Sequence, residues 1–290
     1  MTTPREEFGA VAAIVLCAFL FGTAFVVIQH GLGHVDPIPF LAIRFGVASL
    51  LYAPFGWKRR ARAVEGEWRA GVAAGLVYFV AIAAQTVALR YTTPSAAAFL
   101  TYLLVVAVPL IGWMTHRVLP SRGVLVALLV AIIGLALLTG GGIGLGRGEL
   151  LAVFGAFGFG YHLVQMGMAA NRYDPFRFNG IHCLAAFVPA LALTPFTGGL
   201  PDDLSGWGVG IYAGVVISFF VMLPWLWAQR RIEPTRVALI YLLEPVFAAL
   251  ASYVDGERLT VVSLVGAALI LLAAAMAETG APAAAGQAAL

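Results

Sequence analysis

The chain has 290 residues, of which 61% are hydrophobic and 11% charged, with a mean hydropathy of +0.95. A water-soluble fold of this composition would lack the polar residues to cover its surface, so the chain is read as an integral membrane protein. The formal charge of +3 calls for no nucleic-acid partner, because basic loops have an anionic leaflet to face. Cys17 and Cys183 both sit in apolar runs and imply no disulfide framework.

Residues 1–7 form a short tail in which Arg5 is set against Glu6 and Glu7, so no basic n-region of a cleavable signal is present. Ten apolar runs follow, each near the 20 residues that a membrane-crossing helix needs. They lie near residues 8–29, 38–56, 70–89, 95–115, 121–140, 149–170, 176–197, 207–229, 235–254 and 259–277. Breakers mark the connections: Gly31 to Pro39, Pro94, Pro120, Gly140 to Gly148, Pro175, Gly198 to Pro201 and Pro234. Beyond residue 278 the tail is Ala, Gly and Pro, and is expected to be disordered on the cytoplasmic side.

The chain reads as the same text written twice. Asp36-Pro37 recurs as Asp174-Pro175 and Phe21-Gly22 as Phe159-Gly160, both at an offset of 138. Gly71 and Gly75 recur as Gly210 and Gly214 at 139, and Ala88, Arg90 and Pro94 as Ala228, Arg230 and Pro234 at 140. Each copy holds five spans, residues 8–140 and 149–278. An odd number of spans per copy makes the second enter the bilayer upside down. The predicted fold is therefore all-α, with ten transmembrane helices as two inverted five-helix repeats. Inverted repeats around a midplane site are a common build of secondary transporters.

Basic residues set the orientation. With a cytoplasmic N-terminus, thirteen of the 17 Lys and Arg fall on the cytoplasmic side, three outside (Arg90, Arg147, Arg258) and Arg44 within a span. Both termini are therefore expected in the cytoplasm.

Polar side chains in the spans form a short list. Each must face protein or a wet cavity, since exposure to hydrocarbon costs several kcal/mol. Glu244, just before Pro245, is the one carboxylate placed deep in a span. It is a candidate for proton coupling or for pairing with a substrate ammonium, or it satisfies backbone groups freed by the proline. His162 and Gln165 share a face of helix 6, as do Tyr78 and Gln85 on helix 3, Phe99 and Tyr102 on helix 4, and Tyr241 and Glu244 on helix 9. Trp225, after Pro224, is the deepest tryptophan of helix 8. Taken singly, aromatics at helical spacing are more often packing residues than cavity linings; together these positions mark candidate substrate-binding faces. Arg44 could meet an anionic substrate or Glu244, but reads more readily as snorkelling to the outer surface, and its repeat mate His182 as a peripheral structural residue. Gly71/Gly75 and Gly210/Gly214 are small-xxx-small pairs, expected at helix-packing or hinge positions, or less readily at a dimer face.

Ala18 to Ile28 (AFLFGTAFVVI), Arg44 within LAIRFGVASLL, Ala88 to Thr92 (ALRYT), Ala238 to Pro245 (ALIYLLEP) and Asp255-Gly256-Glu257 together resemble EamA-type carriers of the drug/metabolite transporter superfamily. The resemblance runs from about residue 8 to 278. It implies export of small metabolites from the bacterial cytoplasm across the inner membrane, through a central cavity lined mainly by helices 1, 3, 4, 6, 8 and 9. One subgroup is similar to the aromatic amino acid exporter. The chain departs from the common pattern at His116-Arg117, where the second repeat has Gly256-Glu257, and at Val105, where it has Pro245.

The expectation is an exporter of small neutral or zwitterionic metabolites, amino acids first and aromatic ones among them, working by alternating access. It is expected to need no cofactor or metal, to have a small molecule and the bilayer as its only partners, and to act as a monomer or a homodimer. Export of drug-like cations or nucleosides is the alternative within the family. From other classes, an intramembrane enzyme lacks HExxH, GxGD and DDxxD clusters, and a channel lacks any filter-like segment.

Overall fold

The computed structural model describes residues 4–88, 90–91, 100–116, 121–138, 146–256 and 260–279. Among these residues every regular element is helical. Phe99, Pro94, Arg117, Pro120, most of the Gly-rich segment after Thr139, Glu257, Arg258 and the tail from residue 280 lie outside the described residues.

The helices are α1 (Pro4–Gly31), α2 (Pro37–Lys58), α3 (Glu67–Ala88), α4 (Leu104–His116) and α5 (Arg122–Leu138). There follow α6 (Arg147–Arg172), α7 (Pro175–Leu193), α8 (Leu204–Gln229), α9 (Pro234–Val254) and α10 (Val261–Thr279). Seven of them, α1–α3 and α6–α9, are both long and apolar enough to cross a membrane, and α5 and α10 carry shorter apolar stretches. The helix is imposed by the solvent: in hydrocarbon every backbone N–H and C=O must be paired within the protein. Large apolar side chains such as Leu50, Leu129 and Val254 point outwards, as a lipid-facing surface requires.

Helix starts follow local chemistry. Pro37, Pro175 and Pro234 each occupy the first turn, where a missing N–H costs nothing. Asp174 caps α7 by accepting from the N–H groups of Phe176 and Arg177, at 3.1 and 3.3 Å. Asp36, its repeat mate, makes no such cap and pairs with Arg90 instead. Helix α1 begins at Pro4, so Arg5 to Glu7, which the sequence places in the tail, form its first turn. Two acidic groups there oppose the positive end of the helix dipole, and Glu7 pairs with Arg236.

Contacts between loops sort them onto two faces. On one, Arg236 meets Glu7, Arg59 and Arg62 meet Asp174, and Arg230 donates to the Tyr173 carbonyl at 3.0 Å. On the other, Arg90 meets Asp36, His34 meets Asp203 at 2.8 Å and His30 meets Asp255 at 2.9 Å. Helix α1 leaves the first, basic face, whereas α6 ends on it, so the two run in opposite directions.

The packing repeats in the same sense. Helices α2 and α7 pair with each other, as do α5 and α10. Helix α3 lies on α6 and α7, while α8 lies on α1 and α2; α4 lies on α6, while α9 lies on α1. The glycines show why such close approach is possible. A Cβ on Gly71 would sit 2.8 Å from the Ile181 side chain, and one on Gly210 would sit 2.6 Å from that of Ile43. At Gly75 it would run into the His182 carbonyl, and at Gly214 into the Arg44 carbonyl at 2.7 Å. These four positions seat α3 on α7 and α8 on α2.

Two helices are interrupted. Residues Ala213–Val221 of α8 wind as a π-helix, and α9 breaks at Tyr241-Leu242. Helix α4 is preceded by an equivalent turn at Tyr102-Leu103.

Candidate functional site

A cavity of about 180 Å³ lies between the two halves, with walls from α1, α2, α3, α4, α6, α8 and α9. It reaches Ile28, Leu32 and Phe40 towards the face opposite the basic one. Towards the basic face its floor is Met222 and Trp225, beneath which Leu226, Ile232 and Val237 are fully packed.

Arg44 corrects the sequence reading. It does not snorkel: it is 4% exposed and lies on the cavity wall. Its Nε donates to Ser218 Oγ at 2.9 Å and its Nη2 to the Tyr78 hydroxyl at 3.1 Å. Ser218 belongs to the π-helical stretch of α8, a kind of local distortion that is frequent at functional sites. Among the described residues Nη1 has no protein partner, and no carboxylate lies within ion-pair distance of the guanidinium. A buried cation with no directly paired counter-charge is costly, so its position demands a reason other than packing.

His182 is the second correction. It is buried rather than peripheral, and its Nε2 lies 3.0 Å from His162 Nε2. One nitrogen must donate and the other accept, so a single proton sits between the rings and the two cannot both be imidazolium. Arg44 and His182 occupy equivalent positions in the two halves, and their carbonyls are the ones that Gly214 and Gly75 approach. The small-residue pairs therefore set the depth of both polar groups.

Aromatic rings join these groups into one wall. Tyr78 stacks on His162 with centroids 4.6 Å apart, and His162 stacks on Trp225 at 5.9 Å with planes 13° apart. Trp225 meets Tyr241 at 6.3 Å, and Phe21 closes the row against Tyr241 at 6.0 Å. Among the described residues the Trp225 Nε1 and the Tyr241 hydroxyl are buried without a hydrogen-bond partner.

Glu244 opens the second segment of α9 and is the carboxylate among the wall residues described. Tyr102 faces it, and Arg44 is near enough to feel its charge. Pro245 cannot donate to the Tyr241 carbonyl four residues back, but the Glu244 backbone N–H does so at 2.9 Å. The carboxylate is therefore not needed to repair the proline break, and it is left to the cavity.

Tyr78, Gln85, Tyr102, His162, Trp225, Tyr241 and Glu244 thus share one cavity. Gln85 donates to Thr101 Oγ1 at 3.1 Å across that wall. Gln165 does not join them: three residues along α6, about 4.5 Å, carry it past the cavity floor. Phe99 lies outside the described residues. Arg44, His182, Ser218 and Phe21 were missed or misplaced by the sequence reading. The usable signal was that Arg44 and His182 are repeat mates, so both copies carry a nitrogen-rich side chain at one depth. Among the described residues no three His, Cys, Asp or Glu side chains converge to hold a metal ion.

Away from the membrane, burial would raise the Asp174 carboxyl, but the Arg59 guanidinium and two backbone N–H groups hold it below the usual carboxylate range.

A membrane protein whose described elements are all helical, with a polar and aromatic cavity between two similarly packed halves, has the build of a transporter. The model of the EamA-like transporter family matches the chain twice, over residues 8–140 and 146–279, and the chain belongs to that family. It is 30% identical over 268 residues to an uncharacterized transporter of Archaeoglobus fulgidus, covering 90% of this chain and 82% of the relative. A second uncharacterized transporter of that organism is 28% identical over 262 residues, covering 90% and 93%. A protein of known crystal structure superposes with a TM-score of 0.78 over 96% of this chain and 98% of its own, at 21% identity, a likeness of fold alone.

Proposed function

We propose that this transporter carries small zwitterionic metabolites, amino acids first and aromatic ones favoured, by alternating access between two inverted five-helix repeats. The unused Nη1 of Arg44 on the cavity wall is the observation that carries this reading. A substrate carboxylate docks there by charge-assisted hydrogen bonding. The ammonium turns to Glu244, and an aromatic side chain lies against the Tyr78, His162 and Trp225 rings.

The ten-span, inverted architecture is supported by the opposite courses of α1 and α6, by the matched packing of α1–α5 and α6–α10, and by the double family match. With the basic face in the cytoplasm, both termini are cytoplasmic, the membrane is a bacterial inner membrane, and the cavity described is the outward-facing state of an exporter. The monomer is the transporting unit in this reading, since residues from seven helices of one chain line the cavity.

Counterflow into proteoliposomes tests the reading. Labelled phenylalanine should exchange saturably and be displaced by other aromatic amino acids. Phenethylamine, which lacks the carboxylate, should compete poorly. Equal competition by the amine removes Arg44 from the site and favours the drug-like cation alternative, for which Glu244 alone is the recognition group. Displacement by nucleosides in preference to amino acids favours the nucleoside alternative. Linear, unsaturable conductance would sink the carrier reading altogether.

A further inference from the structure

A second cavity, of about 510 Å³, lies apart from the first, on the outer surface between α2 and α7. Its α2 wall includes Gly46, Ser49, Ala53 and Gly56, whose intervals of three and four put them on one helix face, with Leu50 and Tyr52 beside them. Its α7 wall includes Gly180, Leu184 and Phe187. Gly46 to Gly56 spans about 15 Å along the helix axis, half the ~30 Å thickness of a bilayer's hydrocarbon core. The groove therefore runs from mid-membrane to the basic face, the depth of one leaflet.

At the basic end the chemistry changes. Trp57 and Trp68, 71% and 57% exposed, stand at the rim, and the Arg60 guanidinium lies 5.0 Å from the Trp57 ring centroid. Arg177, also at this end, is held by Glu67 at 2.7 and 2.9 Å, and Arg59 by Asp174 at 3.1 Å. Arg60 has no carboxylate partner among the described residues; its one hydrogen bond goes to the Trp57 carbonyl. Residues 57–69 and 172–177 carry seven basic side chains against three acidic ones, so the rim has surplus positive charge.

We propose that this groove binds an anionic phospholipid, with the phosphate on Arg60 between the two tryptophans and an acyl chain along the small-residue wall. The tryptophans suit the headgroup level, and a basic pocket between membrane helices suits an anionic headgroup. A second copy of this chain fits less well, because it would bring another unneutralised basic rim against the first.

Native mass spectrometry of the full-length protein, titrated with phosphatidylglycerol or phosphatidylcholine of matched chains, tests this without any transport measurement. The wild type should retain phosphatidylglycerol in preference. Arg60→Ala should cut that preference about fivefold. Gly56→Leu should lower occupancy by both lipids, and it is expected to fold, since a Cβ there meets nothing within 4 Å. Equal retention of the two lipids by the wild type overturns the proposal. So does a preference that survives Arg60→Ala, or one lost in Arg60→Ala while Gly56→Leu binds normally, which would mean diffuse attraction at the surface. A concentration-dependent dimer dispersed by Gly56→Leu would make the groove a protein interface and equally overturn it.

Discussion

Arg44 Nη2 donates to the Tyr78 hydroxyl at 3.1 Å, which ties α2 to α3 at the centre of the molecule and aims the guanidinium into the cavity. Through the Tyr78 ring, the same contact leads to His162 and on to Trp225. The groups that hold this cation directly are neutral, and its Nη1 has no protein partner among the described residues.

Replacing Arg44 should therefore act on substrate affinity. Hydrogen bonds to a charged group contribute about 1.5–3 kcal/mol, so Arg44→Ala should raise KM for an amino acid on the order of 10- to 100-fold. Arg44→Lys should recover only part, since a lysine cannot serve Ser218, Tyr78 and a carboxylate with one planar fork. Counterflow at varied substrate concentration checks this, and an unchanged KM in the alanine variant would remove Arg44 from the binding site.

Trp225→Ala and His162→Ala should abolish transport of aromatic amino acids while the protein remains folded by circular dichroism. Both rings form the inner wall of the cavity, and their loss removes the stacking surface. Unchanged flux in both variants would reduce them to packing residues.

Glu244→Gln should leave the break in α9 intact, because the Tyr241 carbonyl is already satisfied by a backbone N–H. Its melting temperature should stay near that of the wild type. The expected effect is loss of the pH-dependent component of flux and weaker competition by substrates carrying an ammonium group. Flux that keeps its full pH dependence in the variant would exclude Glu244 from coupling.

Gly75→Leu and Gly214→Leu should each destabilise the fold by about 1–3 kcal/mol, or by more where the neighbour cannot shift. At both positions the obstacle is a backbone carbonyl on the opposite helix, from His182 or Arg44. Chemical denaturation in detergent reports the loss. Gly56→Leu, with open space around it, is the matched control.

The Asp174 carboxyl is held low, so its contribution to stability is present above the ordinary carboxylate range and fades as pH falls through its lowered value in the fold. Asp174→Ala should cost about 1 kcal/mol from the lost helix cap at neutral pH. Its stability should also fall less steeply than that of the wild type on acidification. A parallel pH dependence in the two proteins would assign the acid sensitivity elsewhere.

Much of the molecule could be read from the chain. A run of some 20 apolar residues has one way to satisfy its backbone in lipid, so the helices follow from composition, and Pro37, Pro175 and Pro234 mark where three of them start. The recurrence of Asp-Pro and of the glycine pairs pointed to two similar halves, and the midspan aromatics pointed to helices that line the cavity. Helix spacing could not say which polar residues face which neighbour. Gln165 shares a face with His162 but lies past the floor of the cavity. Arg44 lies near enough to a helix end to be read as snorkelling, yet packing turns it inwards.

By itself the sequence determined that this protein is helical, lies in a membrane and has two related halves, because those properties depend on local solvation and on repeats along the chain. Only the tertiary structure decided that Arg44 and His182 meet the Tyr78, His162 and Trp225 rings at the centre. That meeting depends on how closely α3 approaches α7 and α8 approaches α2. The approach is set by glycines whose partners lie over a hundred residues away, and so it is decided by packing in three dimensions.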